Sequence, residues 1–388
     1  MNKVVLFTCL ICLFTNVSAQ NPRRTITIEN PSNLNRSNEL VRVSWAEVLK
    51  AYPAIDTANF EVINKATAGQ IPYQLEKLGG KDVKFLLLQV SVKAKSKLLL
   101  QFVKGKPNKI DIKTYGRYVP ERKDDFTWEN DKIAFRMYGK ALENTNENAH
   151  GMDVWVKRTS AMVINKRYKV ENYHKDHGDG LDYYSVGTTL GAGDMAPYLA
   201  DTVWYLGNYS SYKILDNGPL RTSFHLIYDE ALANGVKIKV TKQISIDAGS
   251  QLNRVENSYT FNGQEELHVA VGLATRKEEK KEVLTNANAG ILGYWEPIHG
   301  EDGITGVGAI FIKSPVTVVQ KNNQLLGITS VKANQLIVYY AGAAWNKAGE
   351  ITNSKEWFDY LLAFNTKLKQ PLVVNSSSSR NTIETTEF

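Results

Sequence analysis

The chain has 388 residues, 43% hydrophobic and 22% charged, with 47 Lys+Arg against 40 Asp+Glu and a formal net charge of +7. A chain of that length buries an ample core without staples, and its mild basic excess forms no concentrated tract of the kind that binds nucleic acid. Both cysteines, Cys9 and Cys12, sit in the first apolar run, so the chain beyond it has no thiol for a disulfide, a metal site or a nucleophile.

In chain order, the first residues read as an export signal. Lys3 supplies a positive charge, and residues 4–14 form an apolar run too short to span a bilayer as a mature helix. Val17-Ser18-Ala19 is a small-residue cleavage pattern before Gln20. Residues 1–19 are expected to be removed, leaving a soluble protein in the periplasm or outside the cell. No later stretch reaches membrane-spanning length without charge.

Strand signals then follow one another. Short β-branched or aromatic runs at 25–29, 40–45, 60–64, 71–75, 84–92 and 96–103 are separated by turn formers such as Asn30-Pro31 and Gly79-Gly80. They predict a small β-sandwich over 20–108, with a short helix at 46–52 stopped by Pro53 and a linker at 104–108. Further strands are predicted at 133–138, 153–158, 223–228, 236–246, 253–261, 268–273, 308–313 and 335–341, and a helix at 354–368. The absence of heptads and nucleotide-binding glycine loops argues against coiled coils and Rossmann folds. The fold expected is therefore all-β. A small N-terminal sandwich is followed by a large antiparallel sandwich over 109–370 carrying the chemistry, and by a disordered Ser-rich tail at 371–388.

The densest polar-aromatic stretch is 173–184, where two of the six histidines, His174 and His177, stand among Asp176, Asp179, Asp182, Tyr173, Tyr183 and Tyr184. Its glycines make it a loop, and imidazoles and phenols beside carboxylates can be tuned for proton transfer near neutral pH. His174, His177 and Tyr184 are the expected acid and base, with Asp179 orienting a histidine through its second N–H. The stretch from His174 to Asp182 also offers zinc-type ligands, but its spacing fits neither a compact zinc motif nor a calcium loop. No cofactor is expected, with a metal there left open.

Alternation puts Arg136 and Tyr138 on the face opposite Ile133, Phe135 and Met137, and groups Arg221, Ser223 and His225 on one face of a later strand. A cationic, aromatic face suits an acidic sugar, because guanidinium pairs bidentately with carboxylate and rings stack on sugars. Ordinary exposed sheet faces carry Arg and Tyr as well. Asp153, Trp155 and Lys157 share another face, Lys123 precedes Asp124-Asp125 in a loop, and Trp295, Glu296 and His299 make a further polar-aromatic group. Arg136, Tyr138, Arg221, His225, Lys123 and Trp155 are the substrate-binding candidates. No Gly-x-Ser-x-Gly motif anchors an esterase triad.

Four runs carry a resemblance: residues 118–130 (YVPERKDDFTWEN), 133–139 (IAFRMYG), 151–155 (GMDVW) and 173–180 (YHKDHGDG). Together they resemble a family of secreted proteins from polysaccharide-degrading bacteria, mostly catalogued as a domain of unknown function. The resemblance covers the chain between signal and tail. It implies a galactose-mutarotase-like β-sandwich behind a smaller β domain. It also implies an activity, since some relatives are oligosaccharide dehydratases in the breakdown of ulvan. These remove water from a saturated uronic acid at the non-reducing end and leave a 4,5-unsaturated uronate. A uronate lyase, a mutarotase-like epimerase and a non-catalytic acidic-sugar binder fit the same fold and surface. The resemblance transfers no catalytic residues.

Overall fold

The computed structural model describes residues 24–170, 172–277 and 282–376; the expected signal, both cysteines and the chain beyond 376 lie outside the described residues. Strands Val373–Ser376, Thr25–Glu29, Lys97–Lys104 and Phe60–Asn64 form a four-stranded antiparallel sheet in that order. Arg36–Ser44, Phe85–Val92 and Tyr73–Glu76 form a three-stranded one. Ile26, Ile28, Val43, Leu86, Leu88 and Phe102 fill the core they share. Helix Trp45–Ala51 begins where Ser44 Oγ accepts the Glu47 N–H, and it buries Val48 and Ala51 in that core. The stretch expected to be disordered from 371 instead begins with a strand: Val373–Ser376 pairs with Thr25–Glu29.

The rest of the chain builds three antiparallel sheets around a second core. The largest runs Ser211–Asn217, Arg221–Ile227, Val236–Asp247, Leu252–Phe261, Leu336–Trp345, Thr305–Phe311, Ile291–Trp295, Glu282–Asn286, with Ala231–Ala233 paired beside it. One five-stranded sheet runs Thr202–Val203, Ala192–Leu199, Glu266–Ala274, Gln324–Lys332, Thr317–Lys321. The other runs Gly180–Leu181, Asp153–Lys157, Ile133–Met137, Asp125–Asn130, Thr114–Val119. Apolar residues alternating along the strands meet in one cluster, with Trp128 and Phe135 from the second small sheet, Val271 from the first, and Phe224, Tyr259 and Ala341 from the largest. Trp128 illustrates the join. Its ring lies 5.0 Å from that of Phe224, and its Nε1–H donates to Asn253 Oδ1 at 2.7 Å.

Helix Ser354–Lys369, capped by Asn353, lies on the other face of the large sheet. Val307 and Ala309 point into the main core, while Gly306 and Gly308 face the helix. A Cβ on Gly308 would stand 2.7 Å from Leu361 Cδ1, so this close approach requires glycine. Among the described residues no helix is long and apolar enough to cross a membrane. The observed architecture is all-β, made of antiparallel sheets packed as sandwiches.

Candidate active site

The sheet ending in Thr114–Val119 has one apolar and one polar face. Phe126, Trp128, Ile133, Phe135, Val154 and Val156 enter the core, so Asp125, Glu129, Arg136, Asp153, Trp155 and Lys157 point the other way. Register places Asp153 and Thr127 on either side of Arg136. The alternation expected for Arg136 holds, but its exposure does not. Residues 158–170, with the short helix Ile164–Arg167, and 172–182 fold over this face, and Arg136 is 4% exposed, Trp155 1% and Asp153 0%.

Beneath that cover one guanidinium meets three carboxylates. Arg136 Nη2 lies 2.5 Å from Asp153 Oδ2 and 3.1 Å from Asp182 Oδ2, and its Nε is 3.8 Å from Asp125 Oδ2. Burial raises both acids against the pull of Arg136, with Asp182 adding repulsion: Asp125 to about 6 and Asp153 to about 7. Asp125 Oδ2, Trp155 Nε1, Tyr168 OH and Arg122 Nη1 are buried here without hydrogen-bond partners. Such groups normally find partners, so their concentration sets this cluster apart from the fully bonded Glu129–Lys157 pair on the same face.

Aromatic rings and one histidine roof the cluster. Tyr173 stacks on Trp155 at 5.2 Å, Tyr168 packs at 4.9 Å from the same ring, and Arg136 lies under the Tyr138 ring at 5.0 Å. Tyr173 OH accepts from Arg122 Nε at 3.2 Å. The loop closes on itself where Asp182 N–H donates to Tyr173 O at 3.0 Å. His174 Nδ1 sits 2.7 Å from Asp182 O and 3.7 Å from Asp182 Oδ2. A carbonyl only accepts, so Nδ1 carries the proton and Nε2 is left as the basic nitrogen. The His174 side chain is 62% exposed, which leaves that nitrogen open to solvent.

The other sequence candidates fall elsewhere, each for a physical reason. His177 donates from Nε2 to Asn172 O at 2.9 Å on the exposed side of the loop. Asp179 orients no histidine; its Oδ2 takes Lys166 Nζ at 2.7 Å, and Arg167 lies 3.8 Å from its other oxygen. Tyr184 belongs to the main core beside Arg276, with burial raising its phenol. Trp155 cannot serve as an open platform because Tyr173 covers it. Trp295 packs in the core under the C-terminal helix.

Arg221 is already engaged. Asp247 grips it at 2.6 and 2.8 Å, and Glu76 of the N-terminal sandwich reaches it at 3.3 Å, so its fork joins the two sandwiches. His225 Nε2 meets Gln243 Oε1 at 2.8 Å on the large sheet. Lys123 stays at the surface beside Arg122, and both contact Glu147. Asp176 pairs with Arg158 and Asp179 with Lys166, and among the described residues no group of three or more His, Cys, Asp or Glu is arranged for a metal ion. A second buried pair, Lys242 with Asp194 at 2.6 Å, lines a cavity of about 10 Å³ near His150 and Tyr205. That space is too small for a sugar.

Sequence reasoning passes over Asp125 and Arg122 as site groups, gives Tyr173 no role beyond membership of the loop, and considers Asp182 only as a metal ligand. The signal for Asp125 was present: in DFTWEN the polar residues alternate with Phe126 and Trp128, which is a strand pattern.

The fold is one found in carbohydrate-active enzymes. A glycosyl hydrolase family 38 protein from Enterococcus faecalis superposes with a TM-score of 0.52 at 10% identity over 92% of this chain, and an α-mannosidase from the same species with 0.51. The chain spans 47% and 46% of those proteins, and at this identity the likeness is one of fold. By sequence, the chain belongs to the family described as domain of unknown function DUF4861, which matches residues 28–374. Uncharacterized protein P7 of Formosa agariphila is 31% identical over 395 residues, covering 95% of this chain and 98% of its own.

Proposed function

We propose that the chain is an exported oligosaccharide dehydratase, which removes water from the non-reducing-end uronic acid of acidic, ulvan-like oligosaccharides by β-elimination. The observation that carries this reading is His174: its Nδ1–H is committed to Asp182 O, its ring is exposed, and a buried carboxylate cluster lies next to Asp182. In the reaction, His174 Nε2 takes the C5 proton, the C4–C5 double bond forms and the C4–O bond breaks. The departing hydroxyl leaves as water with a proton from Tyr173, which Arg122 holds in place. The Asp182 carboxylate, 3.7 Å from Nδ1, stabilises the imidazolium that forms.

The C5 proton is acidic only if a cation neutralises the substrate carboxylate as charge develops. Arg136 is unsuited to that task, because three aspartates already surround it and a fourth carboxylate would meet net negative charge. The cation has to come from a side chain near His174 that is not surrounded by acids. Incubating the protein with saturated uronate-ended oligosaccharides should give alkene absorbance in the ultraviolet and a product lighter by one water. Chain shortening instead would make it a lyase, and no change across a broad uronate panel would overturn the proposal.

A further inference from the structure

We infer that Arg122 and Lys123 form the binding site for the substrate's carboxylate, and that Glu147 occupies this site in the unliganded chain. The inference rests on the acidic-sugar reading for its ligand class, and it names the groups and the competitor. Glu147 Oε2 lies 2.9 Å from Arg122 Nη2 and Oε1 lies 2.8 Å from Lys123 Nζ. One carboxylate thus bridges two cations, an oxygen on each, as a sugar carboxylate would.

Arg122 is anchored rather than loose. Its Nε donates to Tyr173 OH at 3.2 Å, and its Nη1 is buried with no hydrogen-bond partner, a donor to spare. The Tyr173 and His174 rings are 4.5 Å apart, so a carboxylate held by Arg122 lies beside the groups assigned to proton transfer.

The backbone gives a second, independent observation. Lys123 and Asp124 both adopt left-handed conformations, φ 50° and 65°, which are costly for residues other than glycine. The surroundings hold them there. Tyr118 OH donates to Asp124 Oδ1, Tyr209 OH donates to Asp124 O, and Gly139 packs against the Asp124 carbonyl too closely for any Cβ. This turn sends Asp125 down into the cluster and leaves Lys123 at the rim beside Arg122. The packing around the turn thus fixes Lys123 beside Arg122.

Glu147 is a replaceable occupant. Its side chain is 54% exposed, and ion pairs of that kind contribute little, so a substrate carboxylate displaces it at low cost. A neutral sugar does not compete for the two cations, so its binding is independent of Glu147.

The test is calorimetric titration of the full chain with a saturated uronate-ended trisaccharide and its carboxyl-reduced, neutral counterpart. Glu147→Gln should bind the acidic probe several-fold tighter and the neutral probe unchanged. Arg122→Gln should lose tenfold or more toward the acidic probe alone. Lys123→Gly relieves the left-handed strain, so it should keep or raise Tm while losing affinity, which separates a binding role from misfolding. Unchanged affinity in Glu147→Gln, equal losses for both probes in Arg122→Gln, or no binding of the acidic probe to any variant would overturn the inference. Run in a His174→Ala background, the titration reads binding without turnover, so tight acidic-probe binding there with no water lost by the wild-type chain would sink the dehydratase reading and leave this one standing.

Discussion

Two buried ion clusters lie on the same face of the same small sheet, and they are built to opposite standards. At one end, Lys157 Nζ donates to Glu129 Oε2 at 2.7 Å and Asn130 O at 2.6 Å, while Val163 N and Ile164 N complete the Glu129 carboxylate at 2.9 and 2.8 Å. One charge meets one charge, and both Glu129 oxygens are engaged. At the other end, a few residues along the same strands, Arg136 faces three carboxylates, and several polar atoms have no partner. Sheet geometry is common to both, so the difference is one of purpose. A satisfied pair pins a covering segment to a sheet, whereas an over-acidic, under-satisfied one keeps protons and bonding capacity in reserve.

The contrast breaks most visibly at its structural end. Lys157→Met leaves Glu129 as an uncompensated buried charge, and urea or thermal unfolding should show a loss of about 3–5 kcal/mol. A change within error would mean the pair is no more structural than the Arg136 cluster. Next in size is a pH effect at the functional end. Asp125 and Asp153 are raised to about 6 and about 7. The folded state therefore holds protons that the unfolded chain releases near pH 4. Their contribution to stability is complete below pH about 4 and is lost as pH rises through the folded values. Unfolding free energy should fall between pH 5 and pH 8, and Asp153→Asn should flatten that fall. Parallel profiles for the two proteins would show that Asp153 is charged throughout.

Much of the fold could be read from alternation, because strands buried on one side announce themselves: 25–29 and 60–64 were expected and are observed with those bounds. The strand Asp125–Asn130 was missed because its polar positions are as buried as its apolar ones, under a cover that only tertiary structure supplies. Arg136 was placed on the correct face yet given the wrong role. Its three aspartates come from three different segments, which strand pairing and the covering loop bring together. Val373–Ser376 escaped for a similar reason: its partner, Thr25–Glu29, lies at the far end of the chain.

The histidines are where sequence alone could not choose, and they give the sharpest use of the contrast. His174 and His177 share a loop, a composition and a residue type, but only His174 is tied to the Arg136 cluster, through Asp182. His174→Ala should lower kcat on a uronate-ended oligosaccharide by about 10²-fold or more, the usual worth of a positioned general base. His177→Ala should be the quietest substitution of all. It removes one exposed hydrogen bond to Asn172 O, within a loop also held by Asp182 N–H to Tyr173 O and Gly178 N–H to Asp176 Oδ1. Turnover within a factor of about two and stability within about 0.5 kcal/mol are expected, as for surface changes generally. A large loss at His177 with none at His174 would move the base to the outer side of the loop. The Arg136 cluster would then be left with a structural role after all.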